Sequence, residues 1–72
     1  MKSLEIHTEY IQLHQALKVL NIIQTGGEAK AYLYLNTIYV NGEIENRRGR
    51  KLYPGDVLKT PDGDFLISNG NQ

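Results

Sequence analysis

The spacing of apolar residues changes along the chain, and the changes mark different kinds of element. Leu4 and Ile6 alternate with polar residues, which predicts a short N-terminal strand. From about Tyr10 the period becomes helical, with apolar residues at i, i+3, i+4 and i+7. The residues on this helix face are Leu13, Ala16, Leu17 and Leu20. The pattern therefore predicts a first helix over about residues 10–20.

A second helix is predicted to begin after Thr25. Thr25 and Glu28 have the spacing of a capping box, in which each side chain accepts a hydrogen bond from the other residue's free backbone N–H. Asn36 would cap the C-terminal end of this helix. Its buried face would comprise Ala29, Tyr32 and Leu33.

The rest of the chain has a period of two, interrupted by turn signatures. Ile38 and Val40 alternate with polar positions, and Asn41-Gly42 follows, which predicts a type I′ hairpin with residues 43–46 as the return strand. Turns at residues 52–56 and 61–64 would separate strands at 57–60 and 65–68, and residues 69–72 are expected to fray. The order predicts the α+β class, a two-helix hairpin packed on a small antiparallel sheet.

Length and composition are those of one small domain over residues 1–72. The 72 residues are 40% hydrophobic and 22% charged, which favours a folded chain over a disordered one. No apolar run approaches the length of a membrane span, and the first residues lack the pattern of a signal peptide, so we expect a cytoplasmic protein with no membrane partner. There is no cysteine, which excludes disulfides and thiolate metal sites.

Charge is balanced overall but concentrated locally. The formal net charge is zero, yet four of the eight cations lie within five residues: Arg47, Arg48, Arg50 and Lys51. Arginine's planar fork of donors suits phosphate oxygens, and Gly49 lets the segment approach another backbone closely. We expect these four side chains to be exposed. The segment is a candidate RNA contact, and a solvated charged loop is the alternative.

The start of the predicted second helix is a second candidate site. Free N–H groups at a helix N-terminus attract anions, and glycines there leave room for a phosphate. Lys30 and Tyr34 lie four residues apart and so share a helix face. The candidate residues on the helices are Lys18, Thr25, Gly26, Gly27, Lys30 and Tyr34. A plain helix cap with solvated neighbours is the alternative.

Residues suited to catalysis or metal binding do not form a recognisable set. His7 and His14 lie on different predicted elements without co-ligands, and Asp62-Gly63-Asp64 lacks the full calcium-loop pattern. No nucleophile motif or cofactor fingerprint occurs. We therefore expect neither an enzyme nor a cofactor, metal or small-molecule substrate. Tyr39 should point away from the core, either to stack on a base or as an ordinary exposed strand tyrosine. Three other tyrosines are predicted to be packing residues: Tyr10, Tyr32 and Tyr53.

Four short motifs occur in the order and spacing of a known RNA-binding domain. They are Leu13-x-x-x-Leu17-x-x-Leu20, Thr25-x-x-x-Ala29-Lys30, Ile38-x-Val40-Asn41-Gly42 and Gly55-Asp56-Val57. Together, over about residues 12–60, they resemble the RNA-binding domain named after small-subunit ribosomal protein S-four, also called the alpha-L motif. Residues 22–27 and 46–52 are similar to the stand-alone bacterial YaaA-type members of that family.

This resemblance implies non-catalytic binding of structured RNA. Ribosomal RNA is the expected ligand, with the large subunit preferred, in ribosome assembly or translation. It also places Asn41 near RNA. Two customary phosphate-binding arginines are absent, because Gln12 stands before the first helix and Thr25-Gly26 replaces a Ser-Arg pair. The phosphate contacts are therefore expected to fall on Lys30 and residues 47–51.

Two alternatives to this interpretation remain open at the level of the sequence. One is a small five-stranded barrel that binds single strands, which conflicts with the two predicted helices. The other is a protein-interaction module in which Tyr34, Tyr39 and the basic segment contact an acidic partner. The zero net charge is compatible with the second alternative.

Overall fold

The computed structural model describes residues 1–70, which contain two helices and seven strands. In chain order these are β1 (Lys2–Ile6), β2 (Ile11–Gln12), α1 (Leu13–Val19), α2 (Glu28–Leu35), β3 (Tyr39–Val40), β4 (Glu43–Ile44), β5 (Lys51–Leu52), β6 (Val57–Thr60) and β7 (Gly63–Asn69). The predicted α+β class is confirmed.

The main sheet has the strand order β1-β7-β6-β3-β4. It is open, with β1 and β4 at its edges, so the five-stranded barrel is wrong. The sheet is mixed rather than purely antiparallel, because β1 pairs in parallel with β7, from Lys2 opposite Phe65 to Ile6 opposite Asn69. Parallel neighbours need a long crossover connection, and the helices and hairpins between β1 and β7 provide one.

A second, two-stranded sheet makes the first helix shorter than the sequence predicts. β2 pairs antiparallel with β5, placing Ile11 opposite Leu52 and Gln12 opposite Lys51. The helix therefore begins at Leu13 rather than near Tyr10, and the N–H of Gln12 donates to Gln15 Oε1 at 3.0 Å. This pairing was not predicted, since each strand is only two residues long and carries no alternation of its own.

The core lies between the helices and the main sheet. The largest fully buried side chains come from α1 and from the strands or the residue next to them: Leu13, Leu17, Ile38, Val40, Leu52, Leu58 and Ile67. Ala29 and Leu33 add the buried face of α2 as predicted. Tyr32 is only partly buried, and its hydroxyl donates to Asp62 Oδ2 at 2.9 Å, which ties α2 to the turn between β6 and β7.

The predicted turns are confirmed, with different strand lengths around them. Asn41 and Gly42 both have positive φ, 52° and 85°, as a type I′ turn requires. β4 ends at Ile44 rather than Asn46, although the N–H of Glu45 still donates to the Ile38 carbonyl at 3.0 Å.

The C-terminal end of β7 is ordered further than predicted. Asn69, expected to fray, belongs to β7, and the N–H of Gly70 donates to the Ile6 carbonyl at 3.0 Å. Residues 71 and 72 of the predicted frayed tail lie outside the described residues.

Candidate nucleic-acid interface

Residues 46–51, called here the basic loop, are fixed against the start of α1. The Leu13 N–H donates to the Arg50 carbonyl at 2.8 Å, and the His14 N–H donates to the Arg48 carbonyl at 3.0 Å. A helix leaves its first N–H groups without internal partners, and the loop carbonyls satisfy two of them here. The N-terminus of α1 is therefore occupied by the protein's own backbone.

A buried carboxylate organises the arginines of the basic loop. Glu45 is only 6% exposed. Its Oε2 accepts hydrogen bonds from the N–H and Nε of Arg47 at 2.9 and 3.0 Å, and its Oε1 accepts from Arg47 Nη2 at 3.0 Å and Arg50 Nη1 at 2.7 Å. These bonds, those of the Arg47 side chain first, lower the pKa of Glu45 from 4.5 to about 2 despite its burial.

Glu45 was missed in the sequence. A buried charge is tolerated when it is paired and hydrogen-bonded, so one acid next to a cluster of arginines is a signal for such a pair. The expectation that all four cations are exposed is wrong for Arg50, whose side chain is 29% exposed, whereas that of Arg47 is 71% exposed. The Arg48 side chain is exposed and has no hydrogen-bond partner among residues 1–70.

The basic loop and α2 form the two walls of one concave surface, called here the α2 groove, with a volume of about 830 Å³. One wall consists of residues of α2 and its cap, and the other consists of residues of the basic loop. The first wall contains Gly27, Lys30, Ala31, Leu33 and Tyr34, and the second contains Asn46, Arg47 and Arg48. Arg48 also borders a smaller adjoining concavity with His14, Gly26 and Gly49. The fold thus brings together five candidate residues from two separate segments of the sequence: Gly27, Lys30 and Tyr34 from the first, and Arg47 and Arg48 from the second.

The N-terminus of α2 differs from the predicted capping box. The Glu28 carboxylate accepts hydrogen bonds from the N–H groups of Gln24 and Thr25 at 2.9 and 2.8 Å. The Thr25 hydroxyl lies 3.3 Å from the same oxygen and donates to it, instead of accepting from the Glu28 N–H. Only the Glu28 half of the box is present, because Gly27 is the residue at the cap position and α2 begins at Glu28.

The two glycines before α2 leave their backbone accessible. The N–H groups of Gly26 and Gly27 have no hydrogen-bond partner within residues 1–70. A Cβ atom at Gly26 would meet nothing within 4 Å, and one at Gly27 would meet only Thr25 Oγ1 at 3.9 Å. Gly27, at the end of the groove, and Gly26, in the adjoining concavity, therefore offer two neighbouring backbone donors to an anion.

The other candidate residues lie outside the α2 groove. Lys18 is exposed in the last turn of α1, and Thr25 is held by Glu28. The Asn41 side chain joins the β3–β4 hairpin to the following turn, donating to Asp56 Oδ1 at 3.0 Å and accepting from the Val57 N–H at 2.9 Å. Arg50 and Lys51 border a different concave surface.

Two features that would indicate other functions are a metal-binding cluster and a membrane-spanning helix. Residues 1–70 contain no cluster of three or more His, Asp or Glu side chains able to hold a metal ion. His14 Nε2 lies 3.1 Å from Gln12 Oε1 and borders the loop. Neither helix within this range has the length and apolar character needed to cross a bilayer.

Comparison with known proteins gives two matches that cover most of the chain. The family model described as the S4 domain matches residues 4–68. A protein of Bacillus subtilis (strain 168) named "Probable ribosome maturation protein RlbA" is 48% identical over 67 residues, which cover 92% of this chain and 94% of that protein. The predicted resemblance to a stand-alone domain of the S-four type is confirmed.

Proposed function

Because the chain belongs to the S4 domain family, we propose that it binds structured RNA, with ribosomal RNA as the ligand, in the α2 groove. The observation that carries the proposal is the placement of cations on both walls of this groove. Lys30 lies on the helix wall, and Arg47 and Arg48 lie on the loop wall. A groove with positive charge on facing walls suits a phosphate backbone, which carries most of the affinity in RNA recognition.

The charges of the groove are not equivalent. Arg47 is partly neutralised by its ion pair with Glu45, and Arg48 and Lys30 have no such partner among the described residues. With a net charge of zero, the protein has no general attraction for RNA, so these local charges carry the association. Arg48 and Lys30 are therefore proposed as the principal phosphate contacts.

The remaining groove residues supply contacts other than charge. Tyr34 is 88% exposed and lies one turn after Lys30, where its ring can stack on a base or a ribose. The N–H groups of Gly27, in the groove, and Gly26, in the adjoining concavity, can donate to a phosphate where the two surfaces meet. Contacts of this kind recognise the shape of a folded RNA more than its base sequence.

The name of the Bacillus subtilis relative refers to ribosome maturation. We propose the corresponding setting for this chain, as a single non-catalytic domain that acts in the cytoplasm in ribosome assembly or translation. RNA of the large subunit is the ligand we would test first. No cofactor, metal or small-molecule substrate enters this proposal.

The proposal is tested by titrating ribosomal RNA fragments at two salt concentrations. Each phosphate contact contributes about −0.7 to −0.9 to the slope of log K against log salt, so Arg48→Ala and Lys30→Ala should each weaken binding and flatten the slope by about that amount. Lys59→Ala is the matched control, because Lys59 is an exposed cation on β6 outside the groove. Its slope should equal that of the wild type.

A charge-reversal variant tests the helix end of the groove. Gly27→Glu has room for its side chain and should weaken binding by placing a carboxylate where a phosphate is proposed. Salt-independent binding, or equal slopes for Arg48→Ala and Lys59→Ala, would contradict the groove. If the wild type binds no ribosomal RNA but binds an acidic protein through Tyr34, the chain is the interaction module instead.

A further inference from the structure

The basic loop has a second face, turned away from the α2 groove. Four of its residues and one from the next turn border this second concave surface, which has a volume of about 520 Å³: Arg47, Gly49, Arg50, Lys51 and Tyr53. Arg47 borders both surfaces, and Gly49 borders this second surface and the smaller concavity that adjoins the α2 groove. A strand that leaves the α2 groove can therefore continue onto this second surface, called here the Tyr53 face.

The aromatic ring on this face is held in place by the protein. The Tyr53 N–H donates to Asp56 Oδ2 at 2.8 Å, and its carbonyl accepts from the Asp56 N–H at 2.9 Å. One side of the ring contacts Tyr10, with the ring centroids 5.7 Å apart and the planes tilted by 49°. Tyr53 nevertheless remains 42% exposed, so an ordered ring is available to a ligand.

The cations beside the ring are also positioned. Arg50 is fixed through Nη1 to Glu45 at 2.7 Å, and Lys51 Nζ lies 4.8 Å from the centroid of the Tyr10 ring. None of the residues that border the Tyr53 face is acidic. An exposed aromatic ring with adjacent cations is the arrangement by which proteins hold unpaired nucleotides, the base stacking on the ring and the phosphate pairing with the cations.

We propose that the Tyr53 face holds an unpaired nucleotide next to the folded RNA that occupies the α2 groove. The inference rests on the proposed function, since the same RNA is expected to contact both faces of the basic loop. It gives Tyr53, first interpreted as a packing residue, a role in recognition. RNA is favoured over an acidic peptide because each nucleotide offers a base that can stack on the exposed ring and a phosphate that can pair with a cation. A carboxylate can pair with the cations but cannot stack on the ring.

The test compares two RNAs that differ in one feature. The first is a blunt RNA hairpin, and the second is the same hairpin with a short unpaired uridine extension. One stacked base contributes about 5- to 150-fold in affinity, so the wild type should bind the extended hairpin more tightly by a factor in that range. Tyr53→Leu should lose this gain and keep the affinity for the blunt hairpin, whereas Tyr53→Phe should keep both.

Two controls separate stacking from other effects. Tyr39→Leu removes a strand tyrosine of similar exposure, 38%, that lies on neither surface, and it should behave as the wild type does. An extension with abasic sites keeps the phosphates but removes the bases, so the wild type should bind it only slightly more tightly than the blunt hairpin. This second control uses the wild type alone and stands even if Tyr53→Leu does not fold.

The outcomes distinguish this inference from the proposal on which it rests. A blunt hairpin that does not bind the wild type refutes the α2 groove. A blunt hairpin that binds, with no gain from the extension or with the same gain in Tyr53→Leu, overturns the Tyr53 face and leaves the groove intact. If Tyr53→Leu weakens binding of a polyglutamate peptide but not of the extended hairpin, the face belongs to an acidic protein partner.

Discussion

Glu45 provides the sharpest test of how the basic loop is organised. Its carboxylate is 6% exposed and accepts four hydrogen bonds from Arg47 and Arg50. Glu45→Gln keeps the size of the side chain and removes its charge. We therefore expect the variant to fold, with the two arginines held less firmly and with a lower free energy of unfolding at neutral pH.

The size of the loss follows from the pKa of Glu45, which is lowered from 4.5 to about 2. A difference of this size corresponds to at most about 3.4 kcal/mol of stabilisation. Arg47 is 71% exposed, so solvent screens the pair, and we expect a net loss of about 1 to 2 kcal/mol.

The pH dependence of this loss identifies its source. A carboxyl group whose pKa is lower in the folded state stabilises the fold above about pH 4.5, and this contribution disappears as the pH falls towards 2. Urea unfolding of the wild type and Glu45→Gln should therefore differ by about 1 to 2 kcal/mol at pH 6 and converge as the pH approaches 2.

Glu43→Gln is the matched control for this experiment. Glu43 is an exposed glutamate on β4, two residues before Glu45, so its substitution should change the stability by less than about 0.5 kcal/mol at every pH. A difference between wild type and Glu45→Gln that does not vary with pH, or an equal effect at Glu43, would refute the reasoning.

Two further predictions concern the helices. Burial first, and then the hydrogen bond to Asp62, raise the pKa of Tyr32 to about 12, so its contribution to stability should be complete below pH 10 and lost as the pH rises towards 12. Tyr32→Phe should cost about 1 kcal/mol at pH 7 and flatten this alkaline decline in thermal unfolding; a decline of unchanged steepness would contradict it. Glu28→Ala should cost about 1 kcal/mol because two N–H groups lose their acceptor, whereas Thr25→Ala should cost only a few tenths. If urea unfolding shows that Thr25→Ala loses as much stability as Glu28→Ala, the Thr25 side chain caps the helix as well, and the half box described above is wrong.

Periodicity predicted the elements well where they were long enough to show it. The buried face of α2 and the Asn41-Gly42 hairpin follow from residue spacing alone, because each is stabilised by local geometry. The β2–β5 pair cannot be predicted in this way, because a strand of two residues shows no period and each of the two exists only through its pairing with the other. The parallel pairing of β1 was hidden for a similar reason, because its partner lies at the other end of the chain.

The candidate site was only partly predictable. Composition identified the basic loop, and helical spacing placed Lys30 and Tyr34 on one face, but neither shows that these groups meet across a groove. The roles of the individual cations depended on Glu45, whose burial is a tertiary property. Tyr53, which is predicted to be a packing residue, does contact Tyr10 with its ring, but it remains 42% exposed.

The pairing of β1 with β7 has a consequence for how the chain folds during its synthesis. Leu4 and Ile6 are synthesised well before β7, the strand with which β1 pairs, which is complete only at Asn69. Closing a flexible loop of about 60 residues costs about 4 kcal/mol, comparable to what burial of the two side chains returns, at about 1.5 to 3 kcal/mol each. A chain extended only to β6 already contains both walls of the α2 groove. The half that forms the α2 groove can thus be complete before β1 has a partner strand.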